Sequence, residues 1–355
     1  MFLASKSPNV ESIIKKCCSY SMRGARFVPE FRMPIPRTEK RLDIVIIGSP
    51  NSGKSVLLNQ LVKSKLAATS RKRHTTRGEI LGVFNHRNIQ LAFYDTPGFV
   101  RSAEALRQEI RSLRDIATTS MTKADVVLLV VDSSYDVNTR YKDAFAEMVR
   151  VALDYAKLEI ILVLNKVDLV KPKDKLLQLT FDLVSLINGV KLGPDGAEKA
   201  VLDTTTFMIS ALKNDGVIDL KNYLLSSALF KPWIIPKEKK KITNMTMEER
   251  VNEVILEKML DNTHDEIPYI AEIICTSIKN LSSSRAKIDV DILVDSPAQQ
   301  RIVVGHQGRT LVKIRQSAAE ELEKILNTQI ILYLWIKQRG KHNETKLDSV
   351  EEVSS

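Results

Sequence analysis

The chain has 355 residues, enough for about two domains, and 44% of them are hydrophobic, so it can bury real cores. Lys plus Arg number 53 against 43 for Asp plus Glu; the net charge of +10 favours a polyanionic partner such as nucleic acid and equally suits a mitochondrial protein. No apolar run approaches the roughly 18 residues of a membrane-spanning helix, and Cys17, Cys18 and Cys275 offer neither zinc-ligand spacing nor a disulfide framework.

Residues 1–40 set Lys6, Lys15, Lys16, Arg23, Arg26 and Arg32 among Ser and apolar residues, opposed only by Glu11 and Glu30. Ile13, Ile14 and Cys17 fall near one helical face. The segment resembles a mitochondrial transit peptide; a basic arm that touches RNA is the alternative. Pro34 and Pro36 mark its joint with the first domain, expected over 41–230.

From Leu42 to Phe230 strand-like and helix-like stretches alternate. Strands are expected at 42–47, 80–84, 89–94, 126–131, 159–164 and 206–209. That pattern predicts an α/β domain with a mostly parallel sheet covered on both faces. Ligands in such sheets sit at the carboxyl ends of the strands, and the motifs fall there.

Gly48-Ser49-Pro50-Asn51-Ser52-Gly53-Lys54-Ser55 fits G-x-x-x-x-G-K-[ST], the P-loop, between an apolar strand and a helix. Gly48 and Gly53 let backbone N–H groups converge on a β-phosphate, and the helix aims its positive end at the same place. Lys54 is expected on the β- and γ-phosphates, and the Ser55 hydroxyl on Mg²⁺. Thr75-Thr76-Arg77 lies in a polar loop, where a threonine (Thr75 or Thr76) can ligate Mg²⁺ and sense the γ-phosphate. Asp95-Thr96-Pro97-Gly98 closes an apolar strand. Its carboxylate can hold the Mg²⁺ shell, and the Gly98 N–H can meet the γ-phosphate. The metal set is thus Ser55, Thr76 and Asp95; Lys54, Thr76 and Gly98 are the catalytic candidates, to which the family resemblance given below adds Asn51. Arg107, Arg111 and Arg114 share one helical face, read as a solvated face or a ribosome-facing surface.

Asn165-Lys166-Val167-Asp168 closes the strand at 159–164. A carboxylate there accepts from N1–H and the 2-amino group of guanine; adenine has neither donor, so the site selects guanine. Ser210-Ala211-Leu212 follows the next strand, where backbone can contact the guanine edge. Residues 189–204, with Gly193 and Gly196, read as a surface insertion.

At Phe230-Lys231-Pro232 the alternation stops, and a second, α+β domain is expected over 231–340. It reads as a helix at 248–261, strands at 267–276 and 286–294, an apolar run Ile302-Val303-Val304, a long helix at 309–326 and a last strand at 329–337. Cys275 is expected as a small core residue, and Tyr333 and Trp335 as core-packed. Gly305-His306-Gln307-Gly308 is the G-x-x-G loop of a KH domain, which grips the sugar-phosphate backbone of about four nucleotides. Arg309 and Lys313, one turn apart, are candidates for phosphate contacts. After Gly340 a polar tail is expected to be disordered.

The ordered set Gly48–Ser55, Thr75-Thr76, Asp95–Gly98, Asn165–Asp168 and Ser210-Ala211 resembles the P-loop GTPases of the translation-factor-related class, and more finely the Era-like GTPases. P-N-S-G-K-S, S-R-K-x-x-T-T-R, D-T-P-G-F, N-K-V-D and I-S-A-L-K carry that resemblance. Residues 231–340 resemble the Era-type, type II KH domain through Pro232-Trp233, Glu266-Ile267-Pro268-Tyr269, the G-x-x-G loop and Leu334-Trp335-Ile336-Lys337. The chain departs from common GTPase patterns at Phe99, where many place a water-orienting glutamine, and at Val56, where a threonine is common. The resemblance implies GTP and GDP as ligands with Mg²⁺, and K⁺ held through Asn51 as a further expectation. It also implies GTP hydrolysis and binding of small-subunit ribosomal RNA during ribosome assembly, by a monomer. A mitochondrial matrix location follows, with peripheral contact with the inner membrane and a cytoplasmic location left open. An RNA-binding assembly factor with a structural, non-hydrolysing nucleotide site is the alternative; a tRNA-modification GTPase is disfavoured by the KH-like block.

Overall fold

The computed structural model describes residues 38–69, 80–95, 124–135, 139–155, 159–192, 204–239, 241–263, 267–282 and 284–339. The transit-like segment up to residue 37, Thr75, Thr76, Thr96, Pro97, Gly98, Phe99, the arginines at 107, 111 and 114, Gly193, Gly196 and the tail lie outside them.

Six strands form the first sheet: β1 (Lys40–Gly48), β2 (Ile80–His86), β3 (Ile89–Asp95), β4 (Val126–Asp132), β5 (Glu159–Asn165) and β6 (Thr206–Met208). Their order is β2-β3-β1-β4-β5-β6, parallel throughout except for the antiparallel β2–β3 edge pair. Nearly continuous apolar runs make these strands because both faces are buried. Along β1, Val45 and Ile47 join one core with Phe145, Val149, Leu183 and Ile187. Leu42, Ile44 and Ile46 point the other way, into a core with Leu57, Leu58, Leu61, Leu220 and Leu224. The second core is covered by α1 (Lys54–Val62) and α4 (Val217–Ser226), the first by α2 (Thr139–Tyr155) and α3 (Asp174–Leu192).

The charged stretch after Phe230 does not end the packing of this lobe. Ile235 is buried in the first core with Ile234 beside it, and Ile242 and Met245 pack against the second. Gln90, fully buried on β3, fixes the crossing. Its Nε2 donates to Ile235 O at 2.9 Å, and its Oε1 accepts from Ile234 N at 2.8 Å and Ile235 N at 3.3 Å.

The second lobe starts at α5 (Met247–Asn262). Its N-cap, Thr246, accepts from Glu249 N at 3.2 Å while the Glu249 side chain accepts from Thr246 N at 2.7 Å, a reciprocal capping box. Then come α6 (Ile267–Ile270), β7 (Glu272–Ser282), β8 (Arg285–Val294), α7 (Pro297–Val304), α8 (Arg309–Leu326) and β9 (Gln329–Gln338). The three strands order β7-β8-β9, with β7–β8 antiparallel and β8–β9 parallel.

Two expectations change here, at Ile267 to Tyr269 and at the two aromatics of β9, and one run left open is assigned. Ile267, Pro268 and Tyr269 form a helical turn rather than the start of a strand. Proline lacks a ladder donor, which disfavours a strand there. The run Ile302-Val303-Val304 is the last turn of α7, started by Ser296 as N-cap and Pro297 in its first turn. Tyr333 and Trp335 are not core residues. Ile330, Leu332 and Ile336 take the inward positions of β9, so the two aromatics stand on the open face, with Tyr333 40% exposed. Their rings stack at 6.4 Å, and Lys287 Nζ lies 4.7 Å from the Tyr333 ring. Cys275 is half-buried on β7 against the core, and burial pushes its thiol up.

Replacing Gln90 by leucine should strand three backbone groups of the linker, the two of Ile235 buried, at a cost of about 1–3 kcal/mol for each buried one. A clear fall in the unfolding midpoint of Gln90→Leu is expected; an unchanged midpoint would contradict the clamp.

Candidate nucleotide and RNA sites

The first site gathers at the carboxyl ends of β1, β3, β4, β5 and β6. Gly48 ends β1 against β4, and a methyl there would stand 2.3 Å from Val130 O. Gly53 has φ +93°, and its Cβ would fall 2.2 Å from Asn165 Nδ2. Both positions therefore need glycine for the loop to curl. The loop continues into α1, directing the helix N-terminus at whatever it encloses. Lys54 is buried, its ammonium donating to Gly48 O and Ser49 O at 3.1 Å each. That places a cation inside the ring of loop amides. Asn51, at φ +62°, sits on the same turn beside Pro50.

Ser55 Oγ donates to Asp95 Oδ2 at 2.9 Å, and Asp95 is fully buried. A hydroxyl and a carboxylate at this spacing, beside a phosphate loop, are a hard-oxygen donor pair that fits Mg²⁺. Of the expected metal set, Thr76 alone lies outside the described residues.

Asn165, nearly fully buried, ties three loops together. Its Nδ2 donates to Ser52 O at 2.8 Å and its Oδ1 accepts from Ala211 N at 2.9 Å. Lys166 adopts φ +62° and pairs with Asp132 at 2.5 Å. Asp168 has a side chain 14% exposed, with Lys213 Nζ at 3.5 Å. The Ser210 hydroxyl, and then the Lys213 charge, hold its carboxyl below the usual range, so it is ionised at neutral pH. Leu212 is 76% exposed at the lip of this cleft. The described part of the expected set, namely Gly48 to Ser55, Asp95, Asn165, Lys166, Asp168 and Ser210 to Leu212, is thus brought to one place. Two partners escaped the sequence reading. Asp132 ends β4 as Asp95 ends β3, a carboxylate at a parallel-strand terminus, and that signal was available. Lys213 closes the I-S-A-L-K string quoted above but was given no role there.

The second site lies between α7 and α8. Gly305 has φ +74°, and a Cβ there would meet Thr310 Oγ1 at 2.1 Å; Gly308 has φ +75° and faces open space. His306, Gln307, Arg309 and Lys313 are all exposed, and Arg309 donates to Gln307 Oε1 at 3.2 Å. No acidic residue occupies the first turn of α8. The exposed apolar side chains Ile302 and Val312 flank the turn on either side. Backbone amides, a helix N-terminus and two cations beside an apolar strip suit a sugar-phosphate chain with its bases laid to one side. The open face of the sheet does not share this character. Asp289 and Asp291 lie opposite Tyr333 and Trp335, paired with Lys287 and Lys337 at 3.5 and 2.9 Å. Among the described residues no helix is long and apolar enough to cross a membrane.

The 50S ribosome-binding GTPase family model matches residues 43–166, and the KH domain model matches residues 266–342. GTPase Era of Mesorhizobium japonicum is 33% identical over 296 residues, covering 83% of this chain and 87% of that protein. The mitochondrial GTPase Era of Danio rerio is 30% identical over 346 residues, covering 86% and 76%. Among solved structures, Era in complex with MgGDPNP and nucleotides 1506–1542 of 16S ribosomal RNA superposes with a TM-score of 0.67 at 27% identity, over 84% of this chain and 94% of that one. A variant of Aquifex aeolicus Era bound to GDP·AlF4⁻ gives 0.66 at 27% identity, with the same coverage.

Removing the Asn165 amide should uncouple the three loops. Two buried hydrogen bonds are lost, together worth about 2 kcal/mol or more, or roughly 30-fold in affinity. Asn165→Ala is expected to weaken guanine-nucleotide binding by that factor in a titration; an unaltered dissociation constant would contradict the role given to it.

Proposed function

The chain belongs to the Era family of GTPases, and from that premise we propose that it binds small-subunit ribosomal RNA through its G-x-x-G lobe during ribosome assembly, under the control of GTP bound at the other lobe. One observation carries this reading: a P-loop cleft that gathers Asn165 and Asp168 and an exposed G-x-x-G turn opening a basic helix share one chain. The relative solved with a 16S fragment and MgGDPNP supports both halves of it. The family's GTPase activity sets aside the non-hydrolysing alternative. Residues 41–230 are taken as the nucleotide domain and 231–340 as the RNA domain, although the connecting segment packs on the former.

In the bound state Lys54 exchanges the loop carbonyls for the β- and γ-phosphates, and the loop amides enclose the β-phosphate. Ser55 and Asp95 would hold Mg²⁺, which would neutralise charge on the transferred group. Asp168 accepts from the guanine N1–H and 2-amino group; its depressed carboxyl keeps it ionised from neutral pH down to the ordinary carboxylate range. Ala211 and Leu212 present backbone to the base edge, and Lys166, oriented by Asp132, lies along it. At the second site Gly305 to Gly308, with Arg309 and Lys313, take successive phosphates.

The similarity to a mitochondrial Era, together with the basic first 40 residues, supports a mitochondrial location. Asn51 supports a K⁺ requirement, the cation stabilising charge in place of an arginine finger.

Two tests follow from the site. Gly305→Asp with Gly308→Asp should abolish binding of the RNA fragment matching nucleotides 1506–1542 of 16S rRNA, while intrinsic GTP hydrolysis survives. RNA affinity untouched by the pair would refute the assignment. GTP turnover should be severalfold faster in K⁺ than in Na⁺ buffer; equal rates would remove K⁺ from the mechanism.

A further inference from the structure

The connector that leaves α1 is gripped from both lobes. From its own side, Asn59 of α1 donates through Nδ2 to Ala67 O at 2.9 Å. Its Oδ1 accepts from Leu66 N at 2.9 Å and Ala67 N at 3.1 Å. From the other lobe, Glu257 of α5 accepts from Thr69 N at 2.6 Å, Thr69 Oγ1 at 2.9 Å and Lys65 Nζ at 2.6 Å. Lys258 Nζ adds a fourth donor at 2.9 Å. One turn earlier on α5, Glu253 accepts from Ala68 N at 3.2 Å, and Arg250 donates to Lys65 O at 3.4 Å. The Lys65 ammonium also lies 3.3 Å from Glu321 of α8.

These contacts join two particular helices. α1 starts at the phosphate loop, with Ser55 in its first turn. α8 starts at the G-x-x-G turn. Lys65 is the one cation among the described residues that spans from the connector of the first to the body of the second. The Glu257 side chain is only 4% exposed. Burial works to raise its pKa, and the donors Lys65, Thr69 and Lys258 overcome this and leave the carboxyl below its usual value. A buried charge is a poor way to gain stability alone, since apolar packing holds a surface as well at lower desolvation cost. The four donors on this one carboxylate instead tie the connector to α5 and, through Lys65, to α8 in a single network.

We propose that Lys65 and Glu257 form an interlobe latch through which the occupant of the phosphate loop sets how firmly the G-x-x-G helix holds RNA. The inference rests on the proposed function and names the residues that would transmit it. Both are positioning residues; neither touches nucleotide or RNA. Movement at the head of α1 reaches Asn59, which drags residues 66–67, and with them Lys65 and Thr69. Glu257 and Glu321 pass that displacement to α5 and α8.

The test is the ratio of two affinities. Binding of the RNA fragment named above is measured on the full chain with a non-hydrolysable GTP analogue and with GDP, for the wild type, Lys65→Met and Glu257→Gln. The wild-type ratio is expected to be about fivefold or more, the usual floor for allosteric coupling. In both variants it should fall below about twofold, with GDP affinity unchanged. Glu257→Gln keeps the shape of the side chain but exchanges one acceptor oxygen for an NH2 donor, so it breaks the donor set without opening a cavity and serves as the second variant if Lys65→Met is unstable. A wild-type ratio retained in the variants overturns the latch and leaves the proposed function standing. A wild-type ratio of one defeats the nucleotide control itself, and the latch falls with it.

Discussion

The nucleotide site hangs on the side chain of Asn165. Three loops from three strands must meet within a few ångströms, and each alone is a turn with no reason to prefer that position. One buried amide settles it, donating to the phosphate loop at Ser52 O and accepting from Ala211 N. The arrangement works because β5 lies between β4 and β6 and is buried on both faces, so its carboxyl end is fixed by packing. It also explains why residue 53 must be glycine, since a Cβ there would collide with the same amide. The roles proposed for the phosphate loop and for Asp168 depend on this placement.

The second lobe repeats the logic with different parts. A three-stranded sheet and α5 bury the apolar face of α8, which fixes the direction of the helix and leaves its N-terminal turn in solvent. The G-x-x-G turn is therefore preorganised; two of its three positive-φ positions are glycines, and the third, Gln307, is exposed. Between the lobes the linker is clamped to the sheet by Gln90, whereas α5 meets the α1 connector through carboxylates and donors. The first contact is built to stay; the second is of a kind that can rearrange.

Much of this was legible in the sequence, for physical reasons. Phosphate, metal and guanine each require fixed residue types at strand ends, so Gly48–Ser55, Asp95 and Asn165–Asp168 announce themselves. Strands buried on both faces give unbroken apolar runs that bound those motifs. What was hidden depends on which side a residue faces. β9 is apolar on both faces, so period-two reading could not tell that Ile330 and Leu332 go inward and Tyr333 outward. Ile302 to Val304 ended a helix whose N-cap, Ser296, lay too far upstream to be linked to them. The Lys65–Glu257 contact joins residues 192 apart in the chain, and nothing local in either stretch marks it.

Coupling between two binding sites is reciprocal, so nucleotide control of RNA requires equal control of nucleotide by RNA. The most direct measurement is the dissociation constant of a GTP analogue with and without saturating small-subunit ribosomal RNA fragment. The account predicts that RNA tightens or weakens the analogue relative to GDP by the same factor that nucleotide changes RNA affinity. Identical analogue and GDP affinities in the presence and absence of RNA would show that the two lobes act independently.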